Sequence, residues 1–231
     1  MERKNIVVLT GAGISAESGI PTFRDTNGLW EGHDVMEVAS IEGWRRNPTL
    51  VQEFYNLRRK AALAADPNAA HYALAQLELA YQVTIITQNV DLLHEKAGSN
   101  NIIHLHGRLD QAKSSIDDSL IYPVLGEEIE MGELCEKGSQ LRPNIVWFGE
   151  AVPEIEKAAA HISEADMLII IGTSLQVYPA AGLKDFAPEH CRSILIDKKV
   201  PDSTNLHNIQ CYEEPATVAV PRLIEQLMKN H

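Results

Sequence analysis

The chain lacks several features that would assign it to a membrane, secreted or disulfide-stabilised class of protein. No apolar run in its 231 residues approaches the roughly 20 residues that a membrane-spanning helix needs. Residues 1–5 lead directly into a short apolar segment and lack the apolar core of a signal peptide. Cys135, Cys191 and Cys211 stand far apart, an odd set that suits a reducing cytosol better than a disulfide framework. We therefore expect a cytoplasmic protein without a membrane segment.

Basic residues are also scarce. The sequence has 20 lysines and arginines against 32 aspartates and glutamates, which gives a net charge of −12. An acidic surface argues against nucleic-acid binding and favours cationic partners such as lysine-rich segments, although the same charge can simply keep a protein soluble. Hydrophobic residues make up 45% of the chain, as in ordinary globular proteins. The length suits one large domain with room for a small inserted one.

Short apolar runs that end in polar or glycine-rich turns recur along the chain. They lie at 6–9, 83–86, 102–105, 167–171 and 193–196. Such runs are typical of strands that are buried on both faces of a parallel sheet. Segments with a helical period near 3.6 lie at 49–65, 68–80, 154–162 and 216–229. The alternation predicts an α/β fold, a Rossmann-like parallel sheet with helices on both faces, whose ligands bind beyond the carboxyl ends of the strands.

Two stretches interrupt this alternation. Residues 27–65 have helical patterning and no predicted strand, whereas residues 109–141 are polar, acidic and weakly periodic. We expect these stretches to form a smaller lobe over the sheet. The large Rossmann-like lobe would then take approximately residues 1–26, 66–108 and 142–231 of a single domain that spans 1–231.

A glycine-rich segment follows the first predicted strand. Residues 11–24 read GAGISAESGIPTFR. Glycines let backbone N–H groups approach a pyrophosphate, and the start of a helix favours its negative charge. The glycines alone could equally form a tight turn without a ligand. Their spacing also departs from the dehydrogenase G-x-G-x-x-G pattern, because the third glycine is Gly19.

Two histidines lie next to a predicted strand end. His104 and His106 are two apart on a presumed strand, so they would face the same side. Most histidines are packed or surface residues, but His106 precedes a glycine at the edge where ligands bind. An imidazole there is suited to act as a general base near neutral pH.

The predicted helix at 49–65 has two notable flanks. Phe54, Leu57 and Ala61 have the spacing of a stripe that packs inward. Tyr55 and Arg58 are three apart and therefore neighbours on a different flank. On an unassigned helix, such a pair would belong to a solvated face.

The 11–24 segment resembles the signature of the sirtuins, which are NAD-dependent protein deacylases. Further blocks resemble the same family in the same order, so that the likeness runs from about residue 5 to 229. These blocks are TQNVDLLHEKAG at 87–98, HLHG at 104–107, LRPNIVWFGE at 141–150 and GTSLQVYPAA at 172–181. The resemblance implies a sirtuin-type catalytic domain that uses NAD.

The resemblance implies roles for the residues in these blocks. An NAD site would be lined by Gly11, Ala12, Gly13, Ser15, Phe23, Arg24, Gln88, Asn89, Asp91, Gly172, Thr173 and Ser174. Asp197 stands where the family commonly has Asn, and it would lie near the adenosine ribose, with Lys198 and Ala216 as further candidates. His106 would be the general base, while Asn89 holds the ribose and nicotinamide.

The implied reaction transfers an acyl group from a protein lysine to ADP-ribose and releases nicotinamide. Val146, Phe148 and Gly149 would pair with the substrate backbone as an added strand. Tyr55 and Arg58 resemble the pair of the subgroup that removes dicarboxylic acyl groups, and the small Ala39 would leave room for a longer chain. Succinyl and malonyl groups are therefore the expected substrates, with acetyl also possible.

The chain departs from the family at its zinc site. Most sirtuins carry two C-x-x-C pairs between the catalytic histidine and the Leu-Arg-Pro segment, and a structural zinc needs four such ligands. Here that region holds only Cys135, and Ser114 and Ser115 stand where a first pair might begin. We expect no zinc. The acidic run at 127–133 could suggest another ion but is more typical of a solvated surface.

Two alternative functions stay open on the sequence. The same sugar chemistry could serve a protein ADP-ribosyltransferase, in which another nucleophile takes the place of the acyl-lysine. A chain without zinc ligands could also be an NAD-binding sensor with a decayed site. Intact His106, the pair of Tyr55 and Arg58 and the substrate-strand block disfavour the transferase, and the presence of every expected chemical residue disfavours the sensor.

Overall fold

The computed structural model describes residues 3–22, 29–200 and 209–229. Its strands in chain order are β1 (Asn5–Thr10), β2 (Leu29–Trp30), β3 (His33–Asp34), β4 (Gln82–Thr87), β5 (Ile102–His104), β6 (Gly107–Ser114), β7 (Ile121–Pro123), β8 (Leu141–Ile145), β9 (Met167–Ile171), β10 (Arg192–Asp197) and β11 (Ile209–Glu213). Its α-helices are α1 (Ala12–Ser15), α2 (Val35–Val38), α3 (Ile41–Arg46), α4 (Pro48–Ala64), α5 (Ala69–Leu77), α6 (Leu93–Ala97), α7 (Ile155–Ser163) and α8 (Ala216–Lys229). Short 3₁₀ segments lie at Ala16–Ser18 and Ala180–Phe186.

Six parallel strands form the main sheet, in the spatial order β11-β10-β9-β1-β4-β5. The strands added after β1 extend the sheet first through β4 and β5 and later, on the other side, through β9, β10 and β11. The direction in which successive strands are added to the sheet therefore reverses between β1 and β9. Ligands of open α/β sheets bind at such a switch point. The predicted α/β class and its parallel sheet are confirmed.

Burial on both faces explains why the strands are continuously apolar. Ile6 and Val8 of β1 belong to a core that includes α5 and α8. Val7 and Leu9, which alternate with them, belong to a second core with α7 and the 3₁₀ segment at 180–186. Since successive side chains of a strand point to opposite faces, such a strand is apolar along most of its length.

Helix α4 begins at a well-defined cap and holds the polar pair that the sequence singled out. The Asn47 side chain accepts a hydrogen bond from the Leu50 N–H at 3.1 Å, and Pro48 occupies the first turn. The predicted inward stripe is wrong in part, because Leu57 is 63% exposed and Ala61 is also exposed. Tyr55 and Arg58 take the buried flank instead.

The two stretches that interrupt the alternation contain strands that periodicity did not predict. A three-stranded antiparallel sheet has the order β7-β6-β8 and extends slightly beyond the predicted 109–141 boundaries. The expectation of no strand within 27–65 is wrong, since β2 and β3 form a short antiparallel pair. Glu31 and Gly32 join them with φ angles of 49° and 83°, the left-handed backbone of a two-residue hairpin turn.

Strand β11 was also not predicted, because its alternating sequence does not resemble the continuous apolar runs of the central strands.

The three cysteines are free thiols. No helix within the described ranges is both long and apolar enough to cross a membrane.

Candidate functional site

A cavity of about 490 Å³ lies at the carboxyl ends of β1, β4, β9 and β10. Every site residue predicted from the sequence that the structure describes lines this cavity: Gly11, Ala12, Gly13, Ser15, Ala39, Tyr55, Arg58, Gln88, Asn89, Asp91, His106, Val146, Phe148, Gly149, Gly172, Thr173, Ser174, Asp197, Lys198 and Ala216. Phe23 and Arg24 lie outside the described residues. Segments that are far apart in the sequence therefore meet in one place.

Glycines allow the loops after β1 and β9 to cross in contact. The Gly11 N–H donates to the Ile171 carbonyl at 3.0 Å, and the Gly13 N–H donates to the Gly172 carbonyl at 2.8 Å. A Cβ at Gly11 would lie 2.7 Å from the Gly172 oxygen, closer than real Cβ atoms approach such an atom. These glycines thus serve the packing of the two loops, as well as keeping the floor of the cavity free of side chains. The helix that follows, α1, is only one turn long.

Two amide side chains tie the loops of three strands together. The Asn89 Nδ2 donates to the Ser15 hydroxyl at 3.1 Å and to the Gly11 carbonyl at 3.2 Å. The Gln88 Nε2 donates to the Thr173 hydroxyl at 3.0 Å. Both amides are consequently held in place before any ligand binds.

Asp91 is a buried carboxylate on the cavity wall. Its side chain accepts a hydrogen bond from the Leu93 N–H at 3.0 Å and is 6% exposed. Burial raises the pKa of Asp91 above its ordinary value, and the bond from Leu93 opposes this shift only in part.

His106 is oriented by a backbone carbonyl. Its Nδ1 lies 3.0 Å from the Gln88 oxygen. A carbonyl only accepts, so Nδ1 carries the proton and the neutral ring keeps its lone pair on Nε2. Burial lowers the pKa of His106, and the bond to Gln88 offsets this in part. The ring is therefore a neutral base with one nitrogen available.

His104 is engaged at both ring nitrogens and differs from His106 in this respect. Its Nε2 lies 2.7 Å from a Glu95 carboxylate oxygen, and its Nδ1 lies 3.2 Å from the Asn89 carbonyl. The expectation that both histidines share a strand is wrong, because β5 ends at His104 and His106 lies in the turn before β6. The alternation rule does not apply across this turn.

The end of the cavity beside β10 carries charged groups. The Asp197 carboxylate accepts the Lys199 N–H at 3.0 Å. The Lys198 ammonium lies 2.8 Å from a Glu17 carboxylate oxygen, and Glu17 also accepts the Thr217 hydroxyl. These two bonds lower the pKa of Glu17. Lys198 is thus already paired within the chain, whereas Asp197 bonds through one oxygen to its own turn among the residues that the structure describes.

Helix α4 contributes one wall of the cavity. Tyr55 is 1% exposed and Arg58 is 8% exposed, so this pair does not form a solvated face. Burial raises the pKa of Tyr55, which keeps the phenol protonated as a donor. Burial lowers the pKa of Arg58, and the neighbouring Glu31 carboxylate opposes that shift. A protonated phenol and a guanidinium are suited to hold a carboxylate.

The sequence analysis missed two residues beside Arg58. The Arg58 Nη1 lies 2.9 Å from a Glu31 carboxylate oxygen, and its guanidinium carbon lies 4.2 Å from the centre of the Trp30 ring. The Arg58 Nε is buried and has no hydrogen-bond partner among the described residues. The two charges are 27 positions apart along the chain, so no local pattern predicts their contact. The one available signal was Gly32, which indicates a turn next to Glu31.

The segment after β8 runs along the cavity, and part of its backbone pairs within the chain. The Phe148 N–H donates to the Ala39 carbonyl at 2.9 Å, and the Phe148 carbonyl accepts the Ile41 N–H at 3.3 Å. The Phe148 N–H is therefore used within the chain, and an added strand could reach this residue only through the second lone pair of its carbonyl oxygen. Val146 donates its N–H to the His106 carbonyl at 3.0 Å, and Gly149 has a φ of 88°.

The region expected to lack zinc contains a small hydrogen-bonded cluster. The Cys135 sulfur lies 3.4 Å from the Ser114 hydroxyl and 3.2 Å from the Ser139 hydroxyl, and the two hydroxyls are 2.9 Å apart. Across the described parts of the chain, no three His, Cys, Asp or Glu side chains are placed to hold a metal ion together. One thiol and two hydroxyls do not fit a tetrahedral structural zinc. Ser139 was not singled out in the sequence.

Comparison with known proteins agrees with this site. The family model described as "Sir2 family" matches residues 11–179. A Helicobacter pylori protein named NAD-dependent protein deacylase is 53% identical over 226 residues, which cover 98% of this chain and 98% of that protein. A protein of the same name from Bacteroides thetaiotaomicron is 51% identical over 230 residues, with 97% and 98% coverage. A solved Sir2 homologue–NAD complex superposes with a TM-score of 0.89 at 37% identity and covers 99% of this chain and 91% of its own. The resemblance seen in the sequence is thereby confirmed, and the chain belongs to the Sir2 family.

Proposed function

We propose that the chain is an NAD-dependent protein lysine deacylase that prefers acyl groups bearing a carboxylate, succinyl or malonyl, and accepts acetyl less well. The observation that carries the preference is the buried Arg58 guanidinium on the cavity wall, whose Nε lacks a partner among the described residues. The names of the relatives support protein deacylation in general.

The residues at the carboxyl edge of the sheet fit NAD. Gly11, Gly13 and Gly172 leave backbone exposed to the cavity at the switch point, where a pyrophosphate could approach. Asp197 is the last residue of β10, the position at which a carboxylate suits a ribose hydroxyl. When bound, NAD supplies the ADP-ribose that accepts the acyl group and the nicotinamide that leaves.

The protein's own groups would hold the reactants and move one proton. Asn89 and Asp91 would position the ribose and nicotinamide, and the bonds from Asn89 to Ser15 and Gly11 fix its amide. His106 would accept a proton from a ribose hydroxyl at Nε2, because Gln88 holds the proton on Nδ1. The Val146 carbonyl and the Gly149 backbone would pair with the substrate backbone, since the Val146 N–H already donates to the His106 carbonyl.

The α4 wall would recognise the end of the acyl chain. Arg58 offers a permanent charge with a forked set of donors, and the protonated Tyr55 offers a hydroxyl. Ala39 is 4% exposed and small, which leaves space for a chain longer than acetyl. A neutral acetyl group would fit the same space but would not use these donors.

Acyl-lysine peptides assayed with NAD test this proposal. Arg58→Met should reduce kcat/KM for succinyl peptide by roughly 10- to 150-fold, because a hydrogen bond to a charged group contributes about 1.5–3 kcal/mol. Deacetylation should change much less. Arg45→Met removes an exposed arginine of α3 and serves as the matched control. Equal loss of both activities in Arg58→Met, or a wild type that ignores succinyl and malonyl peptides, would contradict the proposed preference.

The same reaction mixtures separate the alternative functions. A deacylase releases nicotinamide and forms O-acyl-ADP-ribose in equal amounts. An ADP-ribosyltransferase would release nicotinamide and label protein, whereas an NAD-binding sensor would release none.

A further inference from the structure

Arg58 faces a carboxylate of the chain itself. Glu31 lies 2.9 Å from Arg58 Nη1, and both residues line the cavity. Among the described residues, Glu31 is the carboxylate in direct ion-pair contact with this guanidinium. It therefore occupies one of the donors that an acyl carboxylate would need.

We infer that Glu31 is a displaceable counter-ion of Arg58 that sets the acyl selectivity of the enzyme. It leaves Arg58 when an acyl carboxylate enters and stays when the acyl group is neutral. This inference rests on the proposed preference for acidic acyl groups.

Electrostatics favour exchange over shared binding. Two carboxylates on one buried guanidinium would repel each other at a separation of a few ångströms, and the low local dielectric strengthens this repulsion. A buried guanidinium without any carboxylate is also unfavourable, because its charge is desolvated without compensation. One carboxylate at a time is the stable arrangement, whether it comes from Glu31 or from the substrate.

The position of Glu31 makes exchange possible. Arg58 is 8% exposed, whereas the Glu31 side chain is 35% exposed and can regain water when it is released. Glu31 lies in the two-residue turn between β2 and β3, beside Gly32. Arg58, in contrast, is fixed by its place in α4 and by the Trp30 ring at 4.2 Å. The mobile partner of the pair is thus Glu31.

Two opposite effects on activity follow. For succinyl peptide, Glu31 competes with the substrate and raises KM. For acetyl peptide, Glu31 keeps Arg58 in a direct ion pair, within a cavity where the guanidinium would otherwise face only the more distant Asp91 carboxylate. The residue therefore broadens the substrate range at the expense of affinity for acidic acyl groups.

Glu31→Gln tests this inference, because glutamine keeps the shape and a hydrogen-bond acceptor but removes the charge. The ratio of kcat/KM for succinyl over acetyl peptide should rise on the order of 10-fold, chiefly through a lower KM for the succinyl peptide. Glu31→Ala should shift the ratio in the same direction. Glu53→Gln, which removes an exposed carboxylate from α4, should leave the ratio unchanged.

A double-mutant cycle with Arg58→Met identifies the route of the effect. In the Arg58→Met background, Glu31→Gln should no longer change the ratio, since the group it acts on is gone. An unchanged ratio in both Glu31 variants, with desuccinylation still dependent on Arg58, would overturn this inference and leave the proposed function intact. Parallel loss of both activities would assign Glu31 a merely structural role. If wild type shows no Arg58-dependent desuccinylation, the proposed function and this inference fall together.

Discussion

At the scale of single residues, the Gln88 carbonyl determines which nitrogen of His106 is available. Since burial lowers the pKa of His106, the ring stays neutral to a lower pH than a free imidazole does. The base works only when neutral, so kcat/KM should fall as the pH drops through a value below 6.5, the ordinary pKa of the group. His106→Ala should lower the rate by roughly 100- to 10,000-fold and abolish this acidic limb. NAD binding, followed by calorimetry, should persist. A mutant with a near-wild-type rate would rule out the base assignment.

Asp197 belongs to the same scale and bears on the choice of cofactor. Its carboxylate lies at the end of β10 on the cavity wall, where a 2′-phosphate on the adenosine ribose would be repelled. NADP should therefore support much less deacylation than NAD at equal concentration. Asp197→Asn should retain activity with NAD, and the difference between the deacylation rates with NAD and with NADP should become smaller. Equal rates with both cofactors in wild type would contradict the placement of Asp197 near the ribose.

At the scale of elements, the central strands could be predicted because their requirement is simple. The strand at 6–9 must be apolar throughout, since alternate side chains enter two different cores. The apolar periodicity of the sequence predicts helix α4 correctly, but it assigns the wrong residues to the buried face of this helix. Leu57 is exposed and Arg58 is buried, because the helix borders the cavity, where Arg58 pairs with Glu31, as well as an apolar core. Apolar periodicity alone cannot distinguish these two surroundings.

Short elements and long-range contacts escaped prediction for a different reason. The β2–β3 pair has only two residues in each strand, too few for a period to show. The Glu31–Arg58 and Ser114–Ser139 contacts join residues that are 27 and 25 positions apart, and nothing local requires them. The backbone of Phe148 pairs with residues 39–41. The sequence alone had suggested that this backbone pairs with the substrate.

At the scale of the whole molecule, the site residues were predictable through the fold. Parallel strands bring their carboxyl ends to one edge, so loops after 9, 86 and 171 were expected to meet there, and the described ones do. The roles within that site came from the family resemblance, which the match over residues 11–179 supports. The charged pair of Arg58 and Glu31 on the cavity wall comes from α4 and the β2–β3 turn, outside the main sheet.

The stability of the whole chain should not depend on a metal ion. A family member with four cysteines gains folding free energy from zinc, but here Ser114, Cys135 and Ser139 bond to one another instead. Ion pairs from Lys113 to Asp118 and from Lys137 to Asp117 hold the flanking turns. Purified protein should therefore contain no stoichiometric zinc by elemental analysis, and its Tm should be the same with and without a strong chelator. A zinc-dependent sirtuin with four cysteines, treated in parallel, should lose stability on chelation. About one zinc per chain, together with unfolding in the chelator, would show that ligands other than this cluster hold a structural metal.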